Sequence, residues 1–182
     1  MNDATTTTEA RRTLVIEPVA ASDPTIASCL GALEDSRART LTLLADTDPG
    51  AIDWVRDDEN TIGTLLYHVA AIEADWLYAE VLEQPFPPDI IDLFPYDVRE
   101  TDGRLTPVGG RSLDQHIALL KSVRSRLLTA FQPMSLGDFR RARQLPDYDV
   151  TPEWVVHHLM QHEAEHRGQI GLLRTAAEHA VN

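Results

Sequence analysis

The sequence predicts an all-α protein, a four-helix bundle, and three observations carry that expectation. Four stretches place apolar residues every three or four positions, the period of one helix face. No stretch alternates apolar and polar residues as a half-buried strand would. Between the stretches lie segments rich in Pro, Gly and capping residues, which end one helix and begin the next. A chain of 182 residues is long enough for one domain with a sizeable core.

The elements follow in order. Residues 1–21 read as a poorly ordered segment, with a short apolar patch from Leu14 to Val19, and residues 22–182 as a single domain. Ser22 or Asp23 caps the first helix, and Pro24 suits its first turn. Its seam is Ile26, Cys29, Leu30, Leu33, Arg37, Leu41 and Leu44, ending before Asp48-Pro49-Gly50. The second helix starts at Asn60 or Thr61 and carries Ile62, Leu65, Leu66, Val69, Ile72, Trp76 and Leu77; it runs to Gln84, where Pro85, Pro87 and Pro88 stop it. A long connection, residues 85–111, then joins helices two and three and leaves room for a crossover. Loops of this length are uncommon and often functional. Ser112 and Gln115 form a capping box that opens the third helix through Leu113, Ile117, Leu120, Arg124, Leu127 and Phe131. Residues 133–150 read as irregular, and Thr151-Pro152 starts the fourth helix.

The fourth helix holds the most informative residues. Its seam runs Val155, Leu159, His162, His166, Ile170, Leu173, Ala177, so two imidazoles stand where leucines are expected. An unpaired polar group in a dry core costs roughly 1–3 kcal/mol. A shared metal ion satisfies both rings at once, and His at i and i+4 is a known two-point ligand arrangement. His68, at the edge of the second helix's apolar stripe, is the candidate third ligand. Three imidazoles around a divalent cation leave a position open, the pattern of a catalytic metal. His158 reads as a supporting or packing residue, while His157, His116 and His179 look incidental.

Three charged residues interrupt the seams: Arg37, Arg124 and Glu73. The bland reading is that they snorkel to the surface or form a buried pair that fixes helix register. The functional reading gives Arg37 and Arg124 to a carboxylate of substrate or thiol, and Glu73 to orienting His68 or moving a proton. Gly168 reads as a close-packing position, and Gln169 as a residue near the histidine face.

Composition narrows the partners. The formal charge of −13 argues against nucleic acid or an anionic membrane surface. No apolar run is long enough to span a bilayer and no signal peptide is evident, so cytoplasmic is the default expectation. Cys29 is the only cysteine, which excludes an intramolecular disulfide and suggests a small core residue. Lys121 is the only lysine among 16 basic residues, the bias of a GC-rich genome.

The residues also resemble a family. His68 with Glu73 and Trp76 downstream, and the stretch His158-Leu-Met-Gln-His162-Glu-Ala-Glu-His166-Arg-Gly-Gln169-Ile, are similar to the DinB superfamily of DinB/YfiT-like proteins. The resemblance spans residues 22–179. It implies the family's four-helix bundle, often a homodimer, with His68, His162 and His166 as the metal triad. Zn²⁺ is the first choice of ion, with Ni²⁺, Mn²⁺ or Fe²⁺ as other candidates. It further implies an S-transferase or isomerase that uses a low-molecular-weight thiol on an electrophile. Mycothiol is preferred only on the GC-rich composition. Two other readings stand beside it. His162-Glu163-Ala164-Glu165-His166 matches the HExxH of metal-dependent hydrolases, in which Glu163 would be the general base. Glu163 reads instead as a solvated or flanking carboxylate, and position 172 is Leu where an extended motif needs His. A non-enzymatic metal-binding bundle would share the triad without a neighbouring pocket.

Overall fold

Helix starts are set by side chains that satisfy free backbone N–H groups. In the computed structural model, which describes residues 11, 13–57 and 59–180, Asp23 accepts the Thr25 N–H and opens α1, Pro24–Leu44. Thr61 accepts the Thr64 N–H and opens α2, Ile62–Asp75. Both halves of the Ser112–Gln115 capping box are made at the start of α4, Leu113–Phe131. The last helix, α6, spans Pro152–Ala180. Between α2 and α4 lies the short α3, Pro88–Ile91, and between α4 and α6 the short α5, Leu136–Phe139.

The architecture is mainly helical. α1 packs most extensively on α6 and α2 on α4, while α2 also lies against α6 and α1 against α4. Ile26, Leu30 and Leu33 of α1 meet Leu65, Leu66 and Val69 of α2, Val123 and Leu127 of α4, and Val155, Leu159 and Ile170 of α6 in one apolar cluster. Each such side chain contributes about 1.5–3 kcal/mol when fully buried. On α1, Gly31 is required by a close approach. A Cβ there would sit 2.2 Å from the Glu17 carbonyl oxygen, so the segment entering α1 crosses its surface at that point.

Several expectations need correction. The second helix does not continue regularly to Gln84: after Asp75 it widens into a π-helical stretch, Trp76–Val81, and Glu83 turns out of it at φ 52°. The buried face of α4 keeps Leu120, Arg124, Leu127 and Phe131 of the expected seam and widens to include His116, Leu119 and Val123, while Leu113 and Ile117 lie at its margin. Residues 133–150 are not irregular throughout. They hold α5 and a two-stranded antiparallel sheet in which β1, Arg143–Gln144, pairs with β2, Asp149–Val150. Pairs this short leave no alternation to read. Arg143 is buried there and donates to the carbonyls of Val81, Asp138 and Arg141.

The long connection is fastened to α2. The Tyr67 hydroxyl donates to the Tyr96 carbonyl at 2.9 Å and accepts the Tyr96 N–H at 3.1 Å. Phe94 meets the Tyr67 ring edge-on, and the Arg111 guanidinium lies over it. Further along, the Val108 N–H donates to the Thr64 hydroxyl. The expected N-terminal segment falls outside the described residues at 1–10 and 12; Leu14, Val15 and Ile16 are exposed. Among the described residues, no helix is long and apolar enough to cross a membrane.

Candidate metal centre

Packing of α2 against α6 brings His68 onto His162 and His166. His68 is buried, and the two histidines of α6 are half-buried. The Nε2 atom of His162 lies 3.1 Å from Nε2 of His68 and 3.1 Å from Nε2 of His166. The three rings offer ligand atoms that all lie within 4.8 Å of one another. Four residues apart on α6, His162 and His166 share a face, so the spacing noted in the sequence delivers both to one point.

The electrostatics favour neutral rings. Burial, followed by the neighbouring His166, pushes His68 down to about 4 and His162 down to about 3. The amide oxygen of Gln169 stands 2.9 Å from His166 Nδ1, so that nitrogen carries the proton and Nε2 presents a bare lone pair. His162 Nε2 faces two other Nε2 atoms, and one ring proton cannot serve both contacts. A cation can. A tetrahedral ion with metal–nitrogen bonds of 2.0–2.1 Å would need its nitrogens about 3.3–3.4 Å apart, near the two separations of 3.1 Å from His162, with the third pair within 4.8 Å. The residues therefore fit a divalent ion with a nitrogen-rich shell. One atom is incomplete: His68 Nδ1 is buried with no hydrogen-bond partner.

Beside the triad in sequence, on the same two helices, is a second polar cluster. Arg37 of α1 donates to Glu73 of α2 at 2.8 Å, to Glu163 of α6 at 2.7 Å and to the Leu120 carbonyl. Arg124 of α4 donates to both Glu73 oxygens, at 2.7 and 2.8 Å, and to Glu163, Glu34 and the Leu33 carbonyl. None of the four core members, Arg37, Glu73, Arg124 and Glu163, is more than 5 % exposed. Burial raises the Glu73 carboxyl, but the Arg124 and Arg37 guanidinium groups more than offset this and hold it below the usual range. The arginines do not snorkel. Glu163 is not a solvated carboxylate, as its place at the edge of the seam suggested. Two interior arginines with one interior glutamate leave an unmatched charge, and that imbalance is the signal pointing to a second acid.

Other expectations are revised by position. His116 is fully buried on α4, with both ring nitrogens unpartnered, and burial pushes it down to about 4. Its Nε2 atom lies 3.1 Å from where a Cβ at Gly63 would be. His158 is no ligand in this arrangement: it stacks on Trp154 at 5.0 Å and lies 4.5 Å from Trp76. Gly168 faces open space, so close packing does not explain it; Gly171 is the glycine of that turn that meets a neighbour, Leu43. Cys29 is half-buried against the core.

A family model described as the DinB superfamily matches residues 32–170, a span holding all three histidines and the whole Arg–Glu cluster. No curated protein matches the chain.

Proposed function

The chain belongs to the DinB superfamily, and from that premise we propose a metal-dependent enzyme that uses a low-molecular-weight thiol as S-transferase or isomerase. The reading takes residues 22–182 as one domain, the four long helices as the superfamily's bundle, and the working unit as a homodimer. The observation that carries it is the convergence of three imidazoles, with nitrogens 3.1 Å apart along α6 and across to α2.

His68, His162 and His166 hold the ion, with Zn²⁺ preferred for three imidazoles. Such an ion supplies positive charge that favours the thiolate form of a small thiol, the reactive nucleophile, at neutral pH. Gln169 fixes the tautomer and orientation of His166. A cleft of about 270 Å³ is lined by Glu59, Asn60, Leu65, Gln169, Leu172 and Leu173, so the residue that contacts His166 also faces a space a substrate could occupy. In this reading Glu73, Arg37 and Arg124 act as positioning residues: they fix the register of α2 and α6, and so the places of His68 and His162. Mycothiol remains the first thiol to try, on the composition of the chain.

The hydrolase reading draws less support, because both Glu163 oxygens accept from buried guanidinium groups and are poorly disposed to activate water. The experiment is metal analysis of the purified chain, then turnover with a panel of thiols and electrophiles. One ion per chain is expected, largely lost in His162→Ala and His166→Ala and weakened in His68→Ala, with activity that requires added thiol. Full metal occupancy in His68→Ala would overturn the site. Thiol-independent peptide cleavage that is lost in Glu163→Gln would overturn the chemistry.

A further inference from the structure

Trp76, Tyr148, Asp149, Val150, Thr151 and Trp154 line a cleft of about 560 Å³. Its walls are aromatic. The Trp76 ring centroid lies 5.4 Å from that of Trp154 and 6.4 Å from that of Tyr148, with planes tilted by 41° and 39°. Trp154 and Tyr148 are about half exposed, 46 % and 47 %, so their rings are open to a ligand. The β1–β2 pair brings Tyr148 to this place, and the π-helical stretch begins at Trp76.

Carboxylates surround these rings. Tyr148 donates its hydroxyl to Glu80 Oε1 at 3.1 Å. Glu80 is 8 % exposed, and its other oxygen is buried without a partner. Burial and then the charge of Asp75 push its carboxyl up from the ordinary range. Asp149 adds another acid at the cleft itself. The imidazole in contact with both indoles, His158, is pushed down by burial and so is neutral at neutral pH.

This combination selects a ligand chemistry. An anion would meet Asp149 on the wall and the charges of Glu80 and Asp75 near Tyr148. A neutral apolar group would fill the cleft yet leave the acids in mutual repulsion. A methylated ammonium group suits both walls and charge: it is weakly hydrated, is attracted to indole and phenol faces within about 6 Å of their centroids, and offsets the carboxylate repulsion. We infer that the cleft binds the methylated ammonium group of a small molecule, with Trp76, Trp154 and Tyr148 as its aromatic walls, Asp149 as the acid on its wall and Glu80 as a buried charge held to Tyr148. One imidazole separates this cleft from the triad, since His158 lies 6.0 Å, centroid to centroid, from His162. Calling that molecule the substrate rests on the functional reading above. The binding itself requires neither metal nor thiol.

The test is a proton NMR titration of the full chain with choline, against its neutral carbon isostere 3,3-dimethylbutan-1-ol. Ring currents should shift the choline N-methyl signal upfield in a saturable way, with the isostere at least about tenfold weaker, equivalent to roughly 1.4 kcal/mol. Trp154→Leu, at an exposed position that the core does not need, should weaken choline at least about fivefold, and so should Glu80→Gln. His162→Ala should bind choline as the parent does. Failure of the metal reading with choline binding intact is thereby separable from failure of the cleft. Equal binding of choline and the isostere, or choline binding unchanged in both Trp154→Leu and Glu80→Gln, would overturn the inference.

Discussion

His162 and Glu163 are adjacent on α6, and His68 and Glu73 lie five residues apart on α2, yet the two clusters they build behave in opposite ways. The Arg–Glu cluster closes on itself: two guanidinium groups and two carboxylates take up one another's hydrogen-bonding capacity, with Glu34 and two carbonyls completing it. The histidine cluster instead converges on a point, where His162 Nε2 faces both other Nε2 atoms at 3.1 Å and one ring proton cannot serve both contacts. Buried polarity alone therefore does not mark a site; several ligand atoms converging on one point are the stronger sign. The saturated cluster needs no further partner, whereas the three histidines are a group that could hold an ion.

The largest expected effect breaks the first cluster. Glu73→Leu leaves Arg37 and Arg124 short of a counter-charge in the interior, which should cost about 3–5 kcal/mol in a urea unfolding experiment. Replacing all four with Arg37→Met, Glu73→Leu, Arg124→Met and Glu163→Leu should recover the fold at or above parental stability, because apolar groups of similar volume need no counter-charge. A single-variant cost under about 1 kcal/mol would mean that the cluster is not closed.

A smaller effect is expected at the second cluster. Gln169→Leu removes the acceptor from His166 Nδ1 and should weaken metal affinity about 10–100-fold, with helical content unchanged. Isothermal titration with Zn²⁺ measures this directly. An unaltered affinity would show that the His166 tautomer needs no help from Gln169.

The smallest effect uses His116, a buried imidazole that belongs to neither cluster. Its folded value of about 4 lies below the ordinary 6.5, so the folded state resists taking up a proton that the unfolded chain accepts. Stability should be fully present above pH 6.5 and decline as pH falls towards 4, with a slope of at most about 1.4 kcal/mol per pH unit from this residue. His116→Leu, compared with the parent at equal metal loading, should flatten that slope. Parallel stability–pH curves for the two proteins would count against the His116 assignment.

Much of this contrast was readable from the sequence, but unevenly. Asp23, Thr61 and Ser112 announce their helices because a cap is a local matter, settled within three residues. The triad is visible because histidines displace leucines in a strict seam. Glu163 was misplaced because its burial depends on Arg37 and Arg124, which arrive from other helices. His116 escaped because the buried face of α4 is wider than one stripe and takes in His116, Leu119 and Val123 beside the expected residues. The run His116, Leu120, Val123, Leu127 keeps the same four-three-four spacing, and periodicity alone does not choose between neighbouring stripes. The aromatic cleft draws Trp76, Tyr148 and Trp154 from three elements, so no single stretch of sequence contains it.

The Tyr67–Tyr96 pairing has a consequence for how this protein tolerates change in length. Because one hydroxyl both donates to and accepts from the same backbone unit, residue 96 is pinned to the helix turn that carries His68. The connection is thus divided into two spans with separate anchors, Tyr96 and the Val108–Thr64 bond. Gly103 lies between those anchors at φ 86°, in open space, at the tip of a turn bridged by Arg99 and Leu105. Extra residues inserted there would lengthen a surface loop, at a closure cost of only about 0.6 kcal/mol per doubling. The same residues inserted at Phe94 or Pro95 would pull on the anchor beside His68. Variation in loop length is expected to be tolerated on one side of Tyr96 and to disturb the histidine triad on the other.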